Sequence, residues 1–114
     1  MHEYSLVQSL VTRVESLAQA RKATAVHRLV VSVGELAGVD PELFQTAYDT
    51  FRAGTICERA AMELRRVPAR WACSGCGREI PTGEVLTCPD CGLPARLSAG
   101  GDEIMLETVE MEVP

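Results

Sequence analysis

The sequence predicts an α+β fold in which two helices pack on a small, mostly antiparallel β-sheet with an inserted zinc-ribbon-like subdomain. Two segments space apolar side chains as helices do, three alternate them as strands do, and two Cys-x-x-Cys pairs precede the last strand. The chain has 114 residues, of which 46% are hydrophobic and 24% are charged, as in a globular protein. We expect residues 1–68 and 102–114 to form the main domain and residues 69–101 to form the subdomain.

The first predicted helix covers residues 5–20, and the absence of Gly, Pro and Asn also allows a start nearer His2. Its apolar residues repeat at helical spacing and predict one buried face. The main stripe comprises Leu6, Leu10, Val14 and Leu17, with Val7, Val11 and Ala18 beside it.

The second predicted helix begins at Asp40 as N-cap and Pro41 as first helical residue, and it ends before Gly54. Most of the aromatic residues of the chain lie in this segment, so we expect it to be the main ridge of the core. Its apolar face comprises Leu43, Phe44, Ala47, Tyr48 and Phe51.

Three strands are predicted, over residues 26–33, 61–67 and 103–113. Residues 102–112 contain five acidic side chains and no basic one, whereas Arg65, Arg66 and Arg70 lie in or just after the second strand. Opposite charges on paired strands attract each other. We therefore expect the second and third strands to be neighbours.

Charge and composition exclude several classes of protein. A net charge of −5 without clustered Lys and Arg argues against nucleic-acid binding, and 4% aromatic residues are too few for base stacking. No apolar run reaches the roughly 18 residues of a membrane helix. Because the N-terminal sequence lacks the features of a signal peptide, we expect a cytoplasmic protein without a membrane association.

Four of the five cysteines form two Cys-x-x-Cys pairs, Cys73/Cys76 and Cys88/Cys91, each followed by glycine and separated by eleven residues. Two such pairs can bind one ion through four thiolates in a closed tetrahedral site, which favours structural Zn(II). Two alternatives remain, an iron-only electron carrier and a dithiol redox site. Zinc and four thiolates would shift the net charge to −7, which argues further against nucleic acid.

Three other residues receive structural interpretations. We expect Trp71 to pack over the small zinc core. Cys57 is interpreted as a small buried residue rather than a reactive thiol, and His27 as a structural histidine. No Ser/His/Asp or Cys/His pairing is evident, so the sequence predicts that the protein is not an enzyme.

The N-terminal sequence Met1-His2-Glu3 offers a terminal amine, the His2 imidazole and the amide nitrogens of His2 and Glu3. Nitrogen donors in a nearly planar array favour Ni(II) or Cu(II) over Zn(II). Met1 and Glu3 would contribute only backbone nitrogens. The sequence thus contains a candidate nickel site centred on His2.

The chain resembles the HypA/HybF family of nickel metallochaperones, which mature nickel–iron hydrogenase, over essentially its whole length. The resemblance joins the N-terminal triplet to the cysteine pairs through matching residues in order. These are Met1-His2-Glu3, Val33-Gly34-Glu35-Leu36, Phe44, Phe51, Gly54-Thr55, Ala60, Leu64, Val67-Pro68, Cys73-Ser-Gly-Cys76 and Cys88-Pro-Asp-Cys91-Gly92.

This resemblance implies a nickel-binding α/β domain, a structural zinc site and nickel held transiently by His2 with adjacent backbone. It also implies partners: a nickel-handling GTPase accessory protein, the hydrogenase large-subunit precursor and, for some members, urease maturation proteins. Some relatives carry histidines beside the zinc cysteines, and this sequence has none there. The alternative functions are a zinc-ribbon protein-interaction adaptor without a nickel role and a rubredoxin-like electron carrier.

Overall fold

The computed structural model describes residues 2–80 and 87–114. These residues form two helices, one short 3₁₀ helix and two three-stranded sheets, which confirms the predicted fold class. The elements are α1 (His2–Ala20), β1 (Ala25–Gly34), the 3₁₀ helix (Glu35–Ala37), α2 (Pro41–Phe51), β2 (Ala61–Val67), β3 (Arg70–Cys73), β4 (Glu79–Ile80), β5 (Ala95–Ala99) and β6 (Ile104–Glu112).

The chain divides into two compact units. The first comprises Met1–Ser32, Val39–Arg65 and Met105–Pro114, and the second comprises Val33–Gly38 and Arg66–Ile104. No helix among the described residues combines the length and apolar character needed to cross a membrane.

Helix α1 begins at His2, the earlier of the two starts that the sequence allows, and buries a face slightly rotated from the predicted one. Leu17 was assigned to the main stripe but is 37% exposed. The buried residues of this helix follow a neighbouring line on its surface. That line consists of Val7, Leu10, Val11, Val14 and Ala18.

Helix α2 begins as predicted, because the Asp40 side chain accepts the N–H groups of Glu42 and Leu43 at 2.9 and 3.2 Å. The prediction for Leu43 was wrong, since this residue is 51% exposed at the first turn. Buried Phe44, Ala47 and Tyr48 supply the ridge. The helix ends at Phe51, and Gly54 follows in the turn with φ +76°.

The first sheet has the strand order β2-β1-β6, so the predicted adjacency of the second and third strands was wrong. Strand β1 lies between them, and its Arg28 guanidinium donates to Glu63 on β2 at 3.1 Å and to Glu110 on β6 at 2.7 Å. One cation on the central strand therefore pairs with carboxylates on both neighbours. Hydrogen bonds at both ends of β1, to Glu112 and Glu103 carbonyls, make β1 and β6 antiparallel.

The second unit contains the sheet β4-β3-β5, which is antiparallel throughout. Trp71 on β3 lies opposite Ile80 on one side and Leu97 on the other. The segment after β1 joins this unit where Gly34 faces Gly101 closely; a Cβ at Gly34 would come within 2.0 Å of the Gly101 carbonyl oxygen. Only glycine permits this backbone approach.

Candidate metal sites

Both cysteine pairs adopt the same local backbone. In the first, the N–H of Cys73 donates to the Arg78 carbonyl at 2.8 Å, and the N–H of Gly77 donates to the Cys73 carbonyl at 3.1 Å. The second pair repeats the pattern from Cys88, with the carbonyls and amides at the same offsets. Gly77 and Gly92 both have positive φ, of 76° and 69°, so glycine after each pair is required by the turn.

Backbone N–H groups of these turns point at sulfur. The N–H groups of Gly75 and Cys76 lie 3.3 and 3.4 Å from Cys73 Sγ, and the N–H of Cys91 lies 3.4 Å from Cys88 Sγ. Donors in these positions stabilise thiolates. The short loop between the two cysteines thus places backbone N–H donors at the first sulfur of each pair.

The four sulfur atoms lie within 4.8 Å of one another, and Cys76 Sγ is 3.9 Å from Cys88 Sγ. A tetrahedral Zn(II) with bonds of about 2.3 Å needs sulfur atoms about 3.8 Å apart. Cys73 and Cys88 are buried, while Cys76 and Cys91 are exposed. This all-sulfur set fits Zn(II) in ligand type, number and spacing.

The acidities of the thiols also indicate a cation site. The N–H groups of Cys76 and Gly75 lower the pKa of Cys73 to about 6, which favours the thiolate that a metal ion needs. Hydrogen bonds with Cys76 and Cys73 raise the pKa of Cys91 to about 12. Four thiolates in so small a volume repel one another, and a divalent cation removes that repulsion.

A small apolar cluster supports the cysteines, as predicted for Trp71. Trp71 and Ala95 pack against Cys73, Ile80 and Cys88. Outside the cluster, the Arg78 guanidinium pairs with the Asp90 carboxylate, which joins the two cysteine turns. The eleven-residue segment between the pairs falls partly on residues 81–86, which lie outside the described residues.

The N-terminal candidate site lies at the start of α1. The His2 side chain is 60% exposed, and its Nδ1 lies 4.0 Å from Glu3 Oε2. The same carboxylate oxygen accepts the backbone N–H of Asp40 at 3.3 Å. Tyr4, in the same helical turn, contacts Phe51 of α2 edge-to-face with ring centroids 5.6 Å apart. Met1 lies outside the described residues.

Sequence reasoning missed the side-chain role of Glu3 and the backbone role of Asp40. Glu3 was expected to offer only an amide nitrogen, and Asp40 only a helix cap. The two residues are 37 positions apart, and no local spacing relates them. Contacts of this kind become visible only when the helices pack.

The remaining two candidates, Cys57 and His27, lie outside the cysteine cluster. Cys57 is completely buried, as interpreted, and burial raises the pKa of its thiol. His27 lies on β1 with 59% of its side chain exposed, and its Nε2 is 3.6 Å from Glu112 Oε2. Among the residues the structure describes, neither joins the four-cysteine group.

Comparison with known proteins places this geometry in a family. The family model for HypA, described as hydrogenase/urease nickel incorporation and metallochaperone, matches residues 1–111. The hydrogenase maturation factor HypA of Aquifex aeolicus is 38% identical and that of Shewanella oneidensis 36% identical. The first alignment covers 99% of both chains, and the second covers 98% of this chain and 96% of the relative.

Two solved structures share the fold. A solution structure of a HypA protein superposes with a TM-score of 0.77 at 30% identity, covering 97% of this chain and 96% of that chain. The solution structure of the Ni metallochaperone HypA from Helicobacter pylori gives 0.70 at 28% identity, with 98% of each chain covered. The chain therefore belongs to the HypA family of hydrogenase/urease nickel incorporation, whose members are metallochaperones and maturation factors rather than catalytic enzymes.

Proposed function

We propose that this chain binds Ni(II) at its N-terminus and delivers it during nickel–iron hydrogenase maturation, with one structural Zn(II) on Cys73, Cys76, Cys88 and Cys91. The ligands are the His2 imidazole and adjacent backbone nitrogens of Met1, His2 and Glu3. The observation that carries the nickel proposal is the exposed His2 side chain beside an anchored carboxylate at the first turn of α1.

The backbone nitrogens proposed as ligands are available without cost to the helix. The first four N–H groups of an α-helix have no intrahelical acceptor. Because α1 begins at His2, the amides of His2 and Glu3 belong to this group. Nickel can displace their protons without breaking a hydrogen bond of the helical ladder.

The Glu3 carboxylate supports the site through its charge. Asp40 N–H holds Oε2 in place, and only 15% of the Glu3 side chain is exposed. An anion fixed 4.0 Å from the imidazole favours a dication bound to that ring. Glu3 therefore acts as a positioned counter-charge beside the backbone ligands.

The proposal assigns the two metals to separate parts of the chain. Residues 1–68 and 102–114 form the nickel-binding domain, and residues 69–101 form the zinc-binding subdomain. The partners are a nickel-handling GTPase accessory protein, the hydrogenase large-subunit precursor and, in some cells, urease maturation proteins, all in the cytoplasm. Family membership in hydrogenase/urease nickel incorporation supports such partners.

Calorimetric titration of Ni(II) tests the binding step. The zinc-loaded protein with its native N-terminus is compared with His2→Ala and with an N-terminally extended form. His27→Ala is the matched control, because it removes the other exposed histidine of the chain. We expect one site that weakens strongly in the first two forms and is unchanged in the control. Equal affinity in all four proteins would contradict the terminal site and favour the zinc-ribbon adaptor.

Delivery is tested in cells that lack their own HypA. Wild-type protein should restore hydrogenase activity at limiting nickel, and His2→Ala should not. His27→Ala again serves as the control and should restore activity. Full restoration by His2→Ala at limiting nickel would contradict delivery through the N-terminus.

A further inference from the structure

A groove in the first unit runs between α1 and the edge strand β6. We call it the α1–β6 groove. Apolar side chains form part of its lining, and an arginine lies at each end of the helical side. The lining comprises apolar Leu17, Leu106, Val109 and Met111 together with Arg13, Arg21, Glu107 and Thr108.

The helical side of the groove has a regular spacing. Arg13, Leu17 and Arg21 are four residues apart, and the N–H of Arg21 still bonds to the Leu17 carbonyl at 3.2 Å. At a rise of about 1.5 Å per residue, the two arginines are separated by about 12 Å along the helix axis. The side chain between them, Leu17, is 37% exposed.

The opposite side of the groove is a strand with an open edge. Strand β6 is the last strand of the order β2-β1-β6 and extends over nine residues, Ile104–Glu112. An edge strand presents unpaired N–H and C=O groups to which another extended chain can bind. The groove therefore offers backbone partners on one side and cations on the other.

The charge of the groove selects its ligand. Although the whole chain carries −5, neither Arg13 nor Arg21 forms an ion pair with another described residue. Glu107 also lines the groove, but its Oε1 accepts the Ser32 hydroxyl at 2.8 Å. Arg13 and Arg21 are therefore able to pair with acidic groups of a partner.

We propose that the α1–β6 groove binds an extended acidic segment of a partner protein, which adds to β6 as a further strand. Alternate side chains of an extended chain lie on one face, and residues i and i+4 are about 13 Å apart. This distance matches the separation of Arg13 and Arg21. The expected sequence of the bound segment is therefore acidic-x-apolar-x-acidic, and its apolar residue would contact Leu17.

A second copy of this chain is a poorer occupant. Strand β6 carries Glu107, Glu110 and Glu112. Pairing two such edges would place carboxylates of both strands beside one another, which destabilises a sheet, whereas the proposed segment can place its neutral x positions beside these glutamates. The proposal does not depend on bound nickel, so it can fail while the proposed function stands.

The test uses a fluorescent synthetic peptide, Gly-Glu-Thr-Leu-Thr-Glu-Gly, and the full zinc-loaded chain, with binding measured by polarisation. Arg13→Glu and Arg21→Glu should each weaken binding about fivefold, because each replaces an exposed attraction with a repulsion. Arg59→Glu is the matched control, an exposed arginine of the same unit outside the groove, and should have no effect. A peptide with Lys in place of both Glu residues should not bind.

Amide hydrogen exchange by NMR tests the strand addition itself. The peptide should slow exchange at β6 amides, and a peptide with Pro in place of both Thr residues should not, because Pro has no N–H to donate. Binding that is indifferent to both arginines, unchanged β6 exchange, or dimerisation of the chain without peptide binding at millimolar concentration would each overturn the proposal.

Discussion

The Glu3 carboxylate accepts the backbone N–H of Asp40 at 3.3 Å, and this contact ties the start of α1 to the cap of α2. The Asp40 side chain is meanwhile occupied by the Glu42 and Leu43 amides. The backbone N–H of Asp40 therefore contacts α1, whereas its side chain caps α2. The carboxylate beside His2 is fixed by the packing of two helices and not by its own sequence neighbours.

Glu3→Gln should weaken Ni(II) binding only about threefold, because the amide oxygen can still accept from Asp40 while the charge beside His2 is lost. Glu3→Ala should also destabilise the fold by about 0.5–1 kcal/mol, since the Asp40 N–H loses its acceptor. Calorimetry and urea denaturation measure the two effects. Glu42→Gln, an exposed acid in the first turn of α2, is the control. Loss of nickel binding as complete as in His2→Ala would show that the carboxylate is itself a ligand.

Removal of one cysteine of the metal cluster should weaken zinc binding, so that a chelator of intermediate affinity removes the ion from the variant and not from the wild type. If four ligands share a binding free energy of about 10–16 kcal/mol, then Cys76→Ser should cost roughly 3 kcal/mol, about 100-fold in affinity. NMR should show loss of native signals in β3, β4 and β5, because their apolar cluster is small. Cys57→Ser, outside the cluster, should keep full zinc affinity. A native-like zinc-free subdomain would contradict a structural role for the metal.

Local patterns account for the parts of the molecule that sequence reasoning predicted well. The helices follow from apolar periodicity, and the cysteine cluster follows from two pairs whose turns each position two sulfurs. Strand order does not follow in this way. Arg65 and Arg66 suggested that β2 faces the acidic β6, yet the cation that joins these strands is Arg28 on β1. Charge sums indicate attraction between segments but do not say which strand lies between them.

Arg28→Gln should lower the melting temperature by a few degrees, because it leaves the Glu63 and Glu110 carboxylates without their shared cation. The loss should shrink in about 1 M NaCl, where exposed charges are screened. Arg65→Gln is the control, since Arg65 contacts Glu63 within the same strand and joins no strands. Equal effects of both substitutions would contradict the bridging role.

Acidic pH should remove the contribution of the Glu63 carboxylate to stability. Hydrogen bonding to Arg65, and to a lesser extent to Arg28, lowers the pKa of Glu63 below its ordinary value of 4.5. Its contribution to stability is therefore present above pH 4.5 and is lost as the pH falls through the folded-state pKa. Urea midpoints between pH 7 and 3 should fall less steeply in Glu63→Gln than in wild type. Parallel curves would show that this carboxylate does not contribute to acid sensitivity.

Alkaline pH should destabilise the first unit through Cys57. Burial raises the pKa of this thiol above its ordinary value of 9.0, and burial likewise raises the pKa of neighbouring Tyr48. Below pH 9 the thiol is protonated in both the folded and the unfolded chain, so its contribution to stability is fully present. As the pH rises further, the unfolded chain releases the proton first, and stability falls until the pH passes the folded-state pKa. The slope from this one group reaches at most about 1.4 kcal/mol per pH unit.

Cys57→Ala should flatten the fall between pH 9 and 10 in urea denaturation of the zinc-loaded protein, although the cavity it leaves costs stability at every pH. A slope unchanged by the substitution would mean that the alkaline loss arises elsewhere, with Tyr48 the next group to replace by Phe.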